Sequence, residues 1–256
     1  MSPNNPLYLY AHFRDTDVVH LRLSYSSDRA ISWQDVNPEG SFRAQALRDP
    51  SIIYVPNANP LLTGTFYFIV TPAVGSNVQF FSSDDLMNFS PITTIDIAAL
   101  VTGATVAWAP EWWHDPRDGQ YYFFIAVSSD PEGASSSTAV MLPYLVPFNP
   151  ASASPSGFPV AIPLSGTTQK RTFDFFPYSD GSRYYLLYVD QQPAGSGGNV
   201  TQPIAFATSR GWRVRIGNKP WTEPITSVWG HSRPRRQPSS RWEKPDSSAW
   251  YSIPGL

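Results

Sequence analysis

The feature that most constrains this chain is a three-part unit of roughly sixty residues that recurs along it, the mark of a repeat architecture. In the first part an acidic residue opens a short apolar strand: Asp49-Pro50-Ser51-Ile52-Ile53-Tyr54, then Glu111-Trp112-Trp113-His114, then Asp174-Phe175-Phe176-Pro177-Tyr178. In the second a Gly turn leads into an aromatic strand, at Gly64-Thr65-Phe66-Tyr67-Phe68, Gly119-Gln120-Tyr121-Tyr122-Phe123 and Gly181-Ser182-Arg183-Tyr184-Tyr185. The third is a strand ending in a hydroxyl pair, as in Phe80-Phe81-Ser82-Ser83-Asp84 and Leu23-Ser24-Tyr25-Ser26-Ser27-Asp28. An aromatic follows the second Ser by six residues in both, at Phe89 and Trp33. The run from Ile204 to Ser209 is a weaker copy.

The opening acids stand at 49, 111 and 174, steps of 62 and 63 residues. Three or four short strands per constant step predict the blades of a propeller, whose first strands line a central channel. A β-sandwich also has short strands and turns but does not require the constant step. With 26 Pro and 16 Gly there is little room for long helical patterns, so the expected class is all-β. Strand sets are expected over 8–33, 48–89, 106–145 and 173–209.

Composition excludes several functions. A net charge of −2 and a pI near 6.1 supply no cationic field for nucleic acid. The absence of Cys rules out disulfides, thiolate catalysis and Cys-ligated metals. No apolar run approaches the ~20 residues of a membrane helix. The opening residues from Met1 to Pro6 show neither a basic segment nor an apolar stretch, so no secretory signal is visible. Aromatic residues make up 14% of the chain, enough to fill a strand-built core and also to supply stacking platforms for sugar rings.

Arg48-Asp49-Pro50-Ser51-Ile52 before a Gly-aromatic strand, Trp108-Ala109-Pro110-Glu111 before Asp118-Gly119, and Phe173-Asp174 before Asp180-Gly181 resemble the family-43 glycoside hydrolases over roughly residues 7–228. The resemblance implies a five-bladed β-propeller that hydrolyses arabinose-, xylose- or galactose-containing plant polysaccharides or oligosaccharides with inversion. It implies an extracellular, monomeric enzyme with no required cofactor, and many members hold Ca²⁺ in the channel. By motif and blade order Asp49 matches the family's catalytic base, and Asp174 the carboxylate that tunes the acid and orients the substrate. Glu111, Trp108 and Trp112 are candidates for substrate binding.

The chemistry explains why carboxylates should open blades. An inverting glycosidase needs one carboxylate to activate water and one protonated carboxyl to donate to the leaving oxygen. A nearby third carboxylate raises the pKa of that donor. Read without the resemblance, Asp49 before Pro50 is equally a turn element. Asp174 among Phe residues is equally a buried structural carboxylate, with Arg171 as a partner. Glu111 is equally structural, the tryptophans equally packing, and His12 and His114 lack companions at metal-ligand spacing.

One more step from Asp174 falls on Arg236 and Gln237, neither of which can act as the acid. The surrounding segment is basic and rich in Pro and Ser, so 229–256 is expected to be an irregular tail after a propeller domain of 1–228 that is incomplete at its C-terminal end. A shifted reading frame near residue 230 explains this, as does natural loss of the acid in a non-catalytic, carbohydrate-binding propeller. Glu223 and Glu243 are the nearest remaining acids.

Overall fold

The structure, a computed structural model, describes residues 7–14, 17–36, 42–43, 47–58, 64–72, 74–130, 139–165, 171–191, 204–209, 225–227 and 250–253. They form four sheets, and the strand sets fall where the repeat places them. The first sheet contains β1 (Leu7–Arg14), β2 (Asp17–Ser26), β3 (Gln34–Asp35) and β4 (Phe42–Arg43). The second runs in order through β5 (Leu47–Val55), β6 (Thr65–Pro72), β7 (Asn77–Ser83) and β8 (Ser90–Asp96). The third is built from β9 (Val106–His114), β10 (Tyr121–Ser128), β11 (Met141–Asn149), β12 (Ser154–Pro155) and β13 (Val160–Ala161). The fourth has the order β14 (Leu164–Ser165), β18 (Ile225–Ser227), β17 (Ile204–Ser209), β16 (Tyr184–Asp190), β15 (Thr172–Ser179).

Strict alternation gives each sheet two faces, and three apolar clusters glue the four sheets together in chain order. Leu9, Ala11 and Leu23 of the first sheet meet Ile52, Phe68 and Val70 of the second. Ile53, Ile69 and Phe80 meet Trp112, Phe123 and Phe148 of the third. Phe124, Met141 and Leu145 meet Phe175, Leu186 and Tyr188 of the fourth. Each sheet thus packs face to face on the next, and the strands β5, β9 and β15 that begin the units are the sheet-edge strands packed side by side along the inner line. This is the propeller arrangement, with four blades among the described residues.

The turns explain the hydroxyl-ended strands. After β2, Asp28 accepts hydrogen bonds from the Ser26 hydroxyl and from the amides of Ile31 and Ser32. After β7, Asp85 does the same with the Ser83 hydroxyl and the amides of Met87 and Asn88. Ser26 therefore corresponds to Ser83, one residue away from the register that the aromatic spacing suggests. The aromatics close each turn onto its blade, Phe89 edge-on to Phe68 at 4.7 Å and Trp33 against Tyr10 at 5.4 Å. Gly64 is required at the start of β6 because a Cβ there would collide with the Val55 carbonyl and the Tyr54 ring.

Of the stretch expected as an irregular tail, residues 250–253 are described. Trp250–Ile253 forms a strand, β19, paired antiparallel with β1 in the register Leu7 to Ile253. It takes the inner edge of the first sheet, the slot that β5, β9 and β15 occupy in theirs. Residues 228–249, including Arg236, Gln237 and Glu243, lie outside the described residues, as does Glu223.

Candidate active site

The three inner strands share one irregularity. Between Arg48 and Ser51 on β5, Trp108 and Glu111 on β9, and Phe173 and Phe176 on β15, three steps along the strand face two on its partner. Each is a β-bulge, a device that re-aims side chains at sheet rims. The first bulged residue has positive φ in every case: Asp49 at 52°, Ala109 at 49° and Asp174 at 53°. Left-handed backbone is uncommon outside Gly, and its recurrence at three corresponding positions marks a conserved geometric demand within this one chain.

The bulges correct the repeat register. The residue of the third blade that corresponds to Asp49 and Asp174 is Ala109, with steps of 60 and 65 residues, and Glu111 corresponds to Ser51 and Phe176. Counting acids misplaced the unit by two residues because a Pro-preceding bulge residue need not be acidic. Ala109 contributes its backbone instead, its amide N–H donating to the Asp49 carboxylate. A second tie follows directly, from the Trp112 amide to Ser51 Oγ at 3.0 Å.

Asp49 and Asp174 are brought together. Burial pushes the Asp49 carboxyl above the usual carboxylate range, opposed by the Arg48 guanidinium and by the Ala109 amide. Asp174 is pushed up to about 7, first by burial and then by the charge of Asp49, with Arg48 pulling the other way. Both residues are of intermediate exposure, with their carboxyls deeply surrounded by protein atoms. The Arg48 guanidinium opposes the rise at both carboxyls, and the Ala109 amide donates to Asp49 alone, so the two differ by one backbone donor.

The other candidates separate. Trp112 is 1% exposed and packs edge-on to Phe123 and Phe148 between the second and third blades, which removes it as a sugar platform. Glu111 is buried, with 8% of its surface exposed. Trp108 remains half-buried immediately before the Ala109 bulge, edge-on to Phe173 at 6.4 Å. The Arg171 guanidinium lies over Trp108, 5.9 Å from the ring centre. It is not among the groups that act on Asp174, where Arg48 takes the part expected of it, a role that a residue adjacent to Asp49 could have signalled. His12 bonds Ser24 Oγ through Nε2 at 3.2 Å and His114 stacks on Tyr121 at 4.6 Å. Among the described residues no group of three His, Asp or Glu side chains gathers.

Paired, desolvated carboxyls of this kind are what glycoside hydrolysis calls for. The family model of a glycosyl hydrolase 43-related domain, described as "Probable glycosyl hydrolase domain", matches residues 5–146, and the chain belongs to that family. The match includes Asp49 and Glu111 and stops before Asp174. No curated protein matches the chain. Solved structures share the fold. The GH43_1 enzyme from Xanthomonas citri complexed with xylotriose is 15% identical with a TM-score of 0.59, over 88% of this chain and 70% of that one. The endo-arabinase from Bacteroides thetaiotaomicron is 16% identical with a TM-score of 0.52, over 82% and 72%. The Bacteroides ovatus xyloglucan PUL protein GH43B is 14% identical with a TM-score of 0.54, over 86% of this chain, which spans only 38% of that protein's length.

Proposed function

We propose that the chain hydrolyses glycosidic bonds in arabinose-, xylose- or galactose-containing plant polysaccharides or oligosaccharides with inversion of configuration, as an extracellular monomer that engages neither nucleic acid nor membrane. The observation that carries this reading is the pairing of Asp49 and Asp174 at matching bulges, with the Ala109 amide supporting the first. Asp49 takes a proton from water as its oxygen attacks the anomeric carbon on the face opposite the leaving group. The bond to the leaving oxygen breaks, and that oxygen takes a proton from an acid. Asp174 orients the sugar and, as a neighbouring carboxyl, sets that acid's proton affinity. Trp108 offers its half-buried ring to the sugar face.

One repeat step beyond Asp174 the sequence carries Arg236 and Gln237, neither able to donate the proton, and on this reading the chain turns over ordinary glycosides slowly. General acid catalysis is worth typically 10²–10⁴-fold, and a leaving group that departs as a stable anion does not need it. Dinitrophenyl α-L-arabinofuranoside and β-D-xyloside should therefore be cleaved far faster than the corresponding alkyl glycosides. Saturable sugar binding with no cleavage of either activated substrate would instead favour the non-catalytic, carbohydrate-binding alternative.

A further inference from the structure

The strand registers allow the three bulged blades to be compared position by position. Opposite the bulge Asp49-Pro50 stands Val70 on β6, opposite Ala109-Pro110 stands Ile125 on β10, and opposite Asp174-Phe175 stands Tyr188 on β16. Two residues further along the same face come Pro72, Val127 and Asp190, paired with Leu47, Ala107 and Thr172. In two blades both positions are apolar, as a face packed against the preceding blade requires. In the blade of Asp174 both are ionisable.

Tyr188 is 1% and Asp190 0% exposed. Neither oxygen of the Asp190 carboxylate and not the Tyr188 hydroxyl has a hydrogen-bond partner, and the side-chain oxygen of Gln191, the next residue, is also buried without one. Native proteins seldom leave such groups unsatisfied, and each instance calls for a bound water or ion as explanation. The two side chains are near enough for the Asp190 charge to act on Tyr188, which is pushed up to about 12 by burial first and by that charge second. They do not hydrogen-bond to each other. Both are sealed from solvent, and standing two residues apart on one strand they share the same face.

A buried carboxylate must be neutralised by a proton or a cation. We propose that the space between the third and fourth blades, behind the Asp174 bulge and lined by Asp190 and Tyr188, binds one alkali-metal cation. The donors are all hard oxygens, the ligand type such cations take. A single carboxylate balances a single positive charge, and no second acid or His joins it in a group of three among the described residues, which argues for a monovalent rather than a divalent ion. The inference does not depend on the chain's catalytic activity, because the site faces the blade interface.

The test is thermal unfolding of the full chain in choline, sodium, potassium or rubidium chloride at one ionic strength of about 0.1 M, which holds general screening constant. A saturable rise in Tm is expected with an alkali chloride over choline, lost in Asp190→Asn and shifted to about tenfold higher salt in Tyr188→Phe. Equal Tm in all four salts, or a rise that survives Asp190→Asn, overturns the proposal. So does a wild type stabilised by lowering pH with no alkali dependence, since the proton then neutralises Asp190. Should Asp190→Asn fail to fold, rubidium anomalous scattering decides: a peak beside Asp190 and Tyr188 supports the site, and a peak elsewhere or none overturns it.

Discussion

The aspartates of the outer turns and those of the inner bulges are the same residue placed in opposite electrostatic conditions. Asp28, Asp85 and Asp180 sit in exposed turns where several hydroxyl and amide donors hold each carboxyl well below the usual carboxylate range. For Asp28 the leading donor is the Ser26 hydroxyl, and for Asp85 the Asn88 amide. Asp49 and Asp174 have lost their water, and at most one backbone donor replaces it, so their carboxyls are raised. Donors at the turns make an aspartate a structural anchor, whereas their scarcity at the bulges leaves a carboxyl with raised proton affinity, which the proposed mechanism puts to use.

The largest effect that would break this contrast is loss of the base. Asp49→Asn should lower kcat on dinitrophenyl glycosides by about 10²–10⁴-fold or more with unchanged circular dichroism, because water activation disappears while the side-chain shape stays. An unchanged kcat would put Asp49 among the structural aspartates. The reciprocal change, Asp28→Ala, should leave kcat alone and lower Tm by a few degrees, since the amides of Ile31 and Ser32 lose their acceptor. A fall in kcat without a fall in Tm would reverse the assignment.

Smaller effects sharpen it. Asp174 holds its proton up to about 7 when folded, against ~3.9 in an unfolded chain. The folded state therefore binds the extra proton between these values, and stability falls as pH rises through that window. Asp174→Asn carries no charge and should stabilise the protein at about pH 8 by up to about 4 kcal/mol, the full value of a rise from ~3.9 to about 7, with almost no effect near pH 4. Chemical denaturation at the two pH values measures the difference. The smallest change is expected from Arg48→Met. The Asp174 titration followed by carboxyl carbon NMR should move upward by less than about one pH unit, because Arg48 is exposed and screened by solvent. A downward movement would show that Arg48 does not act on the pair as a cation.

Much of the architecture was legible in the sequence because blades are local: each strand of a unit pairs with the next, so turn chemistry and aromatic runs define them without distant information. Asp49 and Asp174 were legible for the same reason, each standing at the start of a unit. Arg48 was visible as a neighbour of Asp49, yet its action on Asp174 depends on two strands from different blades lying together. Tyr188 and Asp190 carried no signal, since a Tyr and an Asp on an aromatic strand look like surface residues until the face they share is known to be buried.

What the sequence by itself determined is the all-β class, the repeating three-strand unit and the two acids that open the second and fourth blades, because turn preferences and strand alternation act over a few residues. Tertiary structure decided the rest. A bulge inserts one residue and breaks period-two counting, so only the paired strand shows that Ala109, not Glu111, takes the place of Asp49 and lends it an amide. Burial of Trp112 and half-exposure of Trp108 are likewise settled by which neighbouring blade each ring meets, a contact between strands that the local pattern of residues does not encode.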